Sequence, residues 1–242
     1  MNRKLTFSIL LKTLILFPFF IICILSPIVI LIVLSSFIPK GNYLASKLYE
    51  FFGWIGLKIV GINLIVDGKE NIDKNKNYVI VSNHPSTLDI FTHINGIPIQ
   101  TRFLTKAELY KIPIFGRALK VLGLPKIDRK NAKANFEKIN ESIQKVIDSK
   151  ISILVFPEGK RSNTNKLLPF KKGAAFVAKE FNLPIIPVVS HNAHNLMQKG
   201  EIWLRKGTIK LEILNPIENI QDLTVEELTE LCYKVIEEKL SS

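Results

Sequence analysis

The stretch Val79-Ile80-Val81-Ser82-Asn83-His84-Pro85-Ser86-Thr87-Leu88-Asp89 decides how this chain is read. The apolar run at its start has the composition of a buried strand. Pro85 disfavours helix at His84, so His84 is expected in the turn just beyond the strand. Ser86 is a good helix N-cap, and Asp89 falls three residues behind it. His84 and Asp89 then share one strand-turn-helix corner. A carboxylate there can hold one imidazole nitrogen and leave the other as a base. Ser86 to Asp89 is equally a capping box, and a loop histidine is equally a solvated residue, so this stretch alone leaves both readings open.

Composition narrows the field. The chain has 242 residues, 47% hydrophobic, with a formal net charge of +12. That size suits one medium domain, or one domain plus a membrane segment. A basic balance points to an anionic partner. No basic run interleaved with aromatics and no nucleic-acid motif is present, so nucleic acid is not expected as that partner. Cys23 and Cys232 are the two cysteines, which argues against a disulfide framework and fits a reducing compartment. No Cys/His cluster has metal-ligand spacing, so no metal is expected.

The N-terminal region reads differently from the rest. Residues 13–39 carry no charge, over roughly the length needed to cross a bilayer. The length of this region and its poor small-residue cleavage site weigh against a cleaved signal peptide, with Leu34-Ser35-Ser36 as the cleavage option. Arg3, Lys4 and Lys12 precede it; Lys40, Lys47 and Lys58 follow. Positive residues favour the cytoplasmic side, and a single straight span cannot place both flanks there. A hairpin broken near Ser26-Pro27 can, and Pro18 and Pro27 both disfavour one regular helix. A second stretch, 44–60, mixes Phe51, Phe52 and Trp54 with lysines and reads as an interfacial helix, or as an ordinary core helix. Residues 1–62 are therefore expected to be membrane-embedded or interfacial helices.

From residue 63 the texture becomes α/β. Strand candidates are 63–66, 78–81, 102–105, 151–156, 185–189 and 208–214, with helices between them. Phe136, Ile139, Ile143, Val146 and Ile147 fall on one helical face. Leu228, Leu231, Cys232, Val235, Ile236 and Leu240 do the same near the end, behind a capping box of Thr224 and Glu227. The expectation is a layered α/β catalytic domain over 63–242 with a mostly parallel sheet.

Two more stretches sit at strand ends, where ligands bind in open α/β sheets. In Phe156-Pro157-Glu158-Gly159-Lys160-Arg161-Ser162, Pro157 and Gly159 mark a turn that is expected to expose Glu158 and Arg161. An arginine fork matches phosphate oxygens. The other stretch runs from Lys106 to Arg129, two cations near strand ends. There is no G-x-S-x-G elbow, P-loop or Rossmann glycine fingerprint. A His-Asp pair without a protein nucleophile can still act as general base on a substrate hydroxyl.

These motifs, in this order, resemble the glycerolipid acyltransferases, in particular the 1-acyl-glycerol-3-phosphate acyltransferases. Asn83, His84, Ser86 and Asp89 match the family's Asn-His-x-Ser-x-x-Asp motif. Lys106, Glu108, Leu109, Pro113, Phe115, Gly116, Gly123 and Arg129 match its second motif. Phe156, Pro157, Glu158, Gly159, Arg161 and Ser162 match its third, with Lys160 in place of the usual Thr. Leu183-Pro184-Ile185-Ile186-Pro187 resembles the fourth, and Phe170, Lys171 and Gly173 the connecting segment.

The resemblance covers about residues 63–215 and implies acyl transfer from acyl-CoA or acyl-carrier protein to the sn-2 hydroxyl of lysophosphatidate, giving phosphatidate. It implies His84 as base and Asp89 as its orienting carboxylate. Lys106, Arg129 and Arg161 become phosphate contacts, while Glu158 and Gly159 shape the acceptor site. Backbone amides near Gly159 are candidates for the oxyanion donors. No metal or bound cofactor is implied. The expected location is a membrane, with the catalytic domain facing the cytoplasm. The alternatives are a sister enzyme acting on another lysolipid, a lyso-aminolipid or glycerol 3-phosphate, and an inactive membrane-anchored lipid-binding protein.

Overall fold

The computed structural model describes residues 11, 13–15, 43–113, 115–128, 135–162, 164, 166–201 and 205–241. Apart from 13–15, the apolar segment 13–39 lies outside them, and with it the hairpin expectation. Among the described residues no helix is long and apolar enough to cross a membrane.

The strand expected from the opening stretch forms β2 (Val79–Ser82), all four residues buried. Its register explains why the run is apolar throughout. Successive side chains alternate between sheet faces, and both faces are covered. Val79 and Val81 join one core cluster, Ile80 the other. β2 pairs in parallel with β6 (Ser152–Val155) on one side and β7 (Ile185–His191) on the other. Beyond these lie β3 (Thr101–Phe103), β8 (Gly207–Ile213) and β1 (Ile62–Asp67), in the order β1-β8-β7-β2-β6-β3. All pairings are parallel except β7 with β8, which is antiparallel. The mostly parallel α/β fold expected from the sequence is the one observed.

The single strand expected over 102–105 is broken in two. Leu104 still donates to Leu154 O at 3.0 Å, but Thr105 donates to Pro125 O at 2.8 Å. The chain changes partner there and pairs as β4 (Thr105–Lys106) with β5 (Lys126–Ile127).

Helices cover both faces. On one, α1 (Tyr43–Val60), α2 (Asp89–Gly96) and α3 (Phe115–Val121) contribute Tyr49, Ile94 and Leu119 to the core. Close packing of α1 on α2 requires small residues: a Cβ at Gly56 would meet the Phe91 ring at 2.6 Å. Arg102 on β3, wholly buried, ties α1 to the sheet edge. It donates to Ser46 Oγ at 3.0 Å, Thr101 O at 2.9 Å and Leu122 O at 2.6 Å, and lies over the Tyr49 ring. On the other face, α4 (Phe136–Asp148), α5 (Gly173–Glu180) and α7 (Val225–Ser241) bury Ile143, Val146, Val177, Leu228 and Ile236. Short α6 (Ala193–Leu196) follows β7. Phe136, expected on the inner face, is 39% exposed, because at the start of α4 it packs edge-on against Phe176 of α5 instead of the sheet. The Thr224-Glu227 capping box forms, with amide-to-side-chain bonds of 2.8 and 3.2 Å.

Candidate active site

Past Ser82 the chain turns, and each residue of the turn is held by a different element. Asn83 clamps the end of β7: its Nδ2 donates to Ser190 O at 3.0 Å, and its Oδ1 accepts from Ser190 N at 2.8 Å. The His84 amide donates to Glu158 Oε1 at 2.6 Å. The Ser86 amide donates to Asp89 Oδ2 at 2.8 Å, and Ser86 Oγ accepts from Leu88 N at 3.2 Å. These are the two halves of a capping box, although regular helix begins only at Asp89, after a turn through Thr87 and Leu88.

The carboxylate that caps this turn also holds the histidine. His84 Nδ1 lies 2.9 Å from Asp89 Oδ2, and Asp89 is fully buried. With Nδ1–H donating to the carboxylate, Nε2 keeps its lone pair for a proton. The ring is stacked face to face on Phe156, centroids 4.1 Å apart and planes 9° apart. It is therefore fixed in plane by packing and in rotation by Asp89. Ser190 Oγ donates to the other carboxylate oxygen, Oδ1, at 3.0 Å.

The His84 ring borders a cavity of about 280 Å³ whose wall is almost wholly apolar, built from Leu48 and Phe52 of α1, Phe103, Leu119 and Phe156. Lys106 and Gly159 border it too, so three of the residues singled out in the sequence line one cavity. Lys106 is exposed at the end of β4.

Glu158 departs from expectation. It is 3% exposed instead of open to a ligand. Its two oxygens are taken by backbone amides, His84 N and Leu168 N, the latter at 3.0 Å. Those amides, from the His84 turn and from further along the chain, need an acceptor, and Glu158 turns inward to supply it. Burial raises Glu158 above the usual carboxylate range, an effect the two amide bonds lessen without reversing. Glu158 thus shapes the site as a strut behind His84. Gly159 has φ +73°, which closes the turn, and its amide donates to Phe156 O at 3.0 Å. That amide is spent on the turn and does not face an oxyanion. Arg161 is half-buried, and its guanidinium donates to Thr87 Oγ1, inside the His84–Asp89 corner. Arg129 lies outside the described residues.

With this geometry the comparisons fall into place. The acyltransferase family model matches residues 63–191, which span the sheet from β1 to β7 and both turns of the site. The chain belongs to this acyltransferase family. A protein from Limnanthes alba named 1-acyl-sn-glycerol-3-phosphate acyltransferase is 31% identical over 92% of this chain and 79% of its own length. Proteins of the same name from Cocos nucifera and Saccharomyces cerevisiae are 33% and 34% identical over 74% and 73% of this chain. The chain spans just over half of those two, 56% and 58% of their lengths. The crystal structure of the 1-acyl-sn-glycerophosphate (LPA) acyltransferase PlsC from Thermotoga maritima superposes with a TM-score of 0.80 at 26% identity. The match covers 96% of this chain and 94% of that one.

Sequence reasoning missed Ser190, Phe156 as a stacking partner, and His93. The signal for His93 was its place four residues after Asp89, on the same helix face. Its Nδ1 lies 2.7 Å from Asp89 O and its Nε2 2.8 Å from Ser82 Oγ. The carbonyl can only accept, so Nδ1 carries the proton and Nε2 accepts from the serine. Burial pushes His93 down to about 4, against a smaller upward pull from Asp89. An unfolded histidine titrates near 6.5. Between these values the unfolded chain binds a proton that the native state refuses, so stability falls as pH falls through that window. The loss attributable to His93 should be on the order of 3 kcal/mol by about pH 4. Urea unfolding across pH should show a shallower acid-side loss in His93→Gln than in the wild type; parallel curves would contradict the assignment.

Proposed function

We propose that this protein transfers a fatty acyl group from a thioester, acyl-CoA or acyl-carrier protein, to the sn-2 hydroxyl of 1-acyl-glycerol 3-phosphate, forming phosphatidate. The observation that carries the reading is an imidazole fixed by a buried carboxylate in the wall of an apolar cavity. The names of the relatives support the acceptor and product.

The chemistry follows from the geometry. The acyl chain lies in the apolar cavity, which places the thioester carbonyl at His84. His84 Nε2 takes the proton of the acceptor hydroxyl as its oxygen attacks the carbonyl carbon. Asp89 stabilises the imidazolium through Nδ1–H. The tetrahedral intermediate collapses, the C–S bond breaks, and the leaving thiolate receives the proton from His84. A thiol leaves readily and the base is supplied by the chain, so the reaction requires neither metal nor bound cofactor. Among the described residues, Lys106, which lines the same cavity as His84, and Arg161, tied to Thr87, are candidates to meet the acceptor's phosphate.

The acceptor keeps its own tail in a bilayer, so the site must meet a membrane. The thioesters are soluble, so it faces the cytoplasm. Support comes from α1, where Phe51 and Trp54 are 45% and 49% exposed and stacked 5.9 Å apart, with Lys47 and Lys58 exposed on the same helix. Aromatics mixed with lysines suit the membrane-water interface.

His84→Ala should lower turnover about a hundredfold to ten-thousandfold with folding intact; near-native turnover in the folded variant would refute the mechanism. Arg161→Ala should raise KM roughly tenfold or more for a phosphate-bearing acceptor and far less for its phosphate-free counterpart. An equal loss on both would remove phosphate from its role. Replacing Phe51 and Trp54 together by Ser should weaken binding to anionic vesicles by roughly tenfold to a hundredfold, while activity on a soluble short-chain acceptor persists. Undiminished binding in a flotation assay would remove Phe51 and Trp54 from the membrane contact.

A further inference from the structure

We infer that Ser190, on β7, is a positioning residue of the His84–Asp89 pair, and that Asn83 serves the reaction by holding Ser190 in place. This rests on the general-base reading of His84. The Asp89 carboxylate accepts three hydrogen bonds. Its Oδ2 takes the His84 ring and the Ser86 amide, at 2.9 and 2.8 Å. Its Oδ1 takes the Ser190 hydroxyl, at 3.0 Å. Asp89 is fully buried and Ser190 is 2% exposed, so bulk water does not replace that donor.

The three bonds do different work. The two on Oδ2 come from the same turn as Asp89 itself and move with it. The one on Oδ1 comes from another strand and fixes the turn of the carboxylate plane against the sheet. Stabilising the imidazolium requires Oδ2 to stay in line with Nδ1–H while the proton is on the ring. A carboxylate held at one oxygen only can rotate and lose that alignment. Ser190 itself cannot shift, because Asn83 bonds its N–H at 2.8 Å and its carbonyl at 3.0 Å, and β8 pairs with it in register at Leu211. The first residue of the Asn-His-x-Ser-x-x-Asp motif thus reaches the His84–Asp89 pair through β7.

The test uses full-length protein in detergent, with steady-state kinetics on lysophosphatidate and an acyl thioester. Ser190→Ala should lower kcat roughly tenfold to a hundredfold and leave both KM values within about twofold. Ser190→Cys keeps a weaker donor at similar size and should fall between the wild type and Ser190→Ala. In proton NMR, the downfield His84 Nδ1–H resonance, identified by its loss in His84→Ala, should move upfield or broaden in Ser190→Ala. Unchanged kcat in folded Ser190→Ala overturns the inference. So does a joint change of kcat and KM with the resonance in place, which marks a structural role. Should Ser190→Ala not fold, a fully active Ser190→Cys with an unmoved resonance overturns it equally. A wild type that transfers to no acceptor refutes the acyltransferase reading instead, and the resonance still reports on Ser190.

Discussion

One buried carboxylate organises the corner on which this structure depends. Asp89 has no access to water, so each of its lone pairs has to be met by a protein donor or left at a cost of about 1–3 kcal/mol. The donors come from the turn, the imidazole and β7. Satisfying Asp89 therefore fixes the turn after β2, the rotation of His84 and the spacing of β2 from β7 in one step. Its backbone carbonyl is used as well, by His93, which reaches back to Ser82 at the end of β2. The helix start and the strand end are thereby tied through a neutral imidazole.

The corner lies where it does because the sheet is parallel through its centre. β2, β6 and β7 all point the same way, so the His84 turn, the Glu158 turn and Ser190 emerge along one edge. Three segments far apart in sequence can then bond directly: Glu158 to the His84 amide, Ser162 N to His84 O, and Ser190 to Asp89. This is the crevice beyond the strand ends that open α/β sheets use for ligands. What makes it specific here is α1, which lays Leu48 and Phe52 over the edge strand and encloses an apolar space. Arg102 makes that placement firm, since its donors bridge α1, β3 and the end of α3.

The sequence made legible what depends on local pattern. The apolar run of β2, the Pro85 turn, the Thr224-Glu227 cap and the six sheet strands could be read from period and punctuation, because each is decided by neighbours in the chain. The failures have one cause, which is long-range pairing. The break between β3 and β4 depends on Pro125, twenty residues away from Thr105. The contact of Ser190 with Asp89 spans 101 positions. No periodicity marks Ser190, which sits in a strand whose other residues are mostly apolar. In sequence Glu158 reads as exposed, because a charged residue between Pro157 and Gly159 is usually solvated; the amide of His84, in another motif, reverses that. Arg102 shows the same limit, for nothing local announces that a strand arginine is wholly buried.

The inward turn of Glu158 also decides the charge that its own segment presents. The segment from 157 to 172 carries Lys160, Arg161, Lys166, Lys171 and Lys172, and Glu158 is its one acid. Had that carboxylate faced outward, it would have paired with its own neighbours and cancelled part of their field. Directed instead at two amides, it spends its charge on backbone dipoles inside the fold. Lys172 finds a partner on α7 in Glu226. Lys160, Lys166 and Lys171 stay exposed, Arg161 is half-buried against Thr87, and Lys106 borders the cavity. The same residue thus braces His84 from behind and leaves the basic charge of its own segment uncancelled, a setting that favours an anionic group. An apolar cavity beside His84 and a basic segment after Phe156 are the two features that the proposed substrates, an acyl chain and a phosphate, call for.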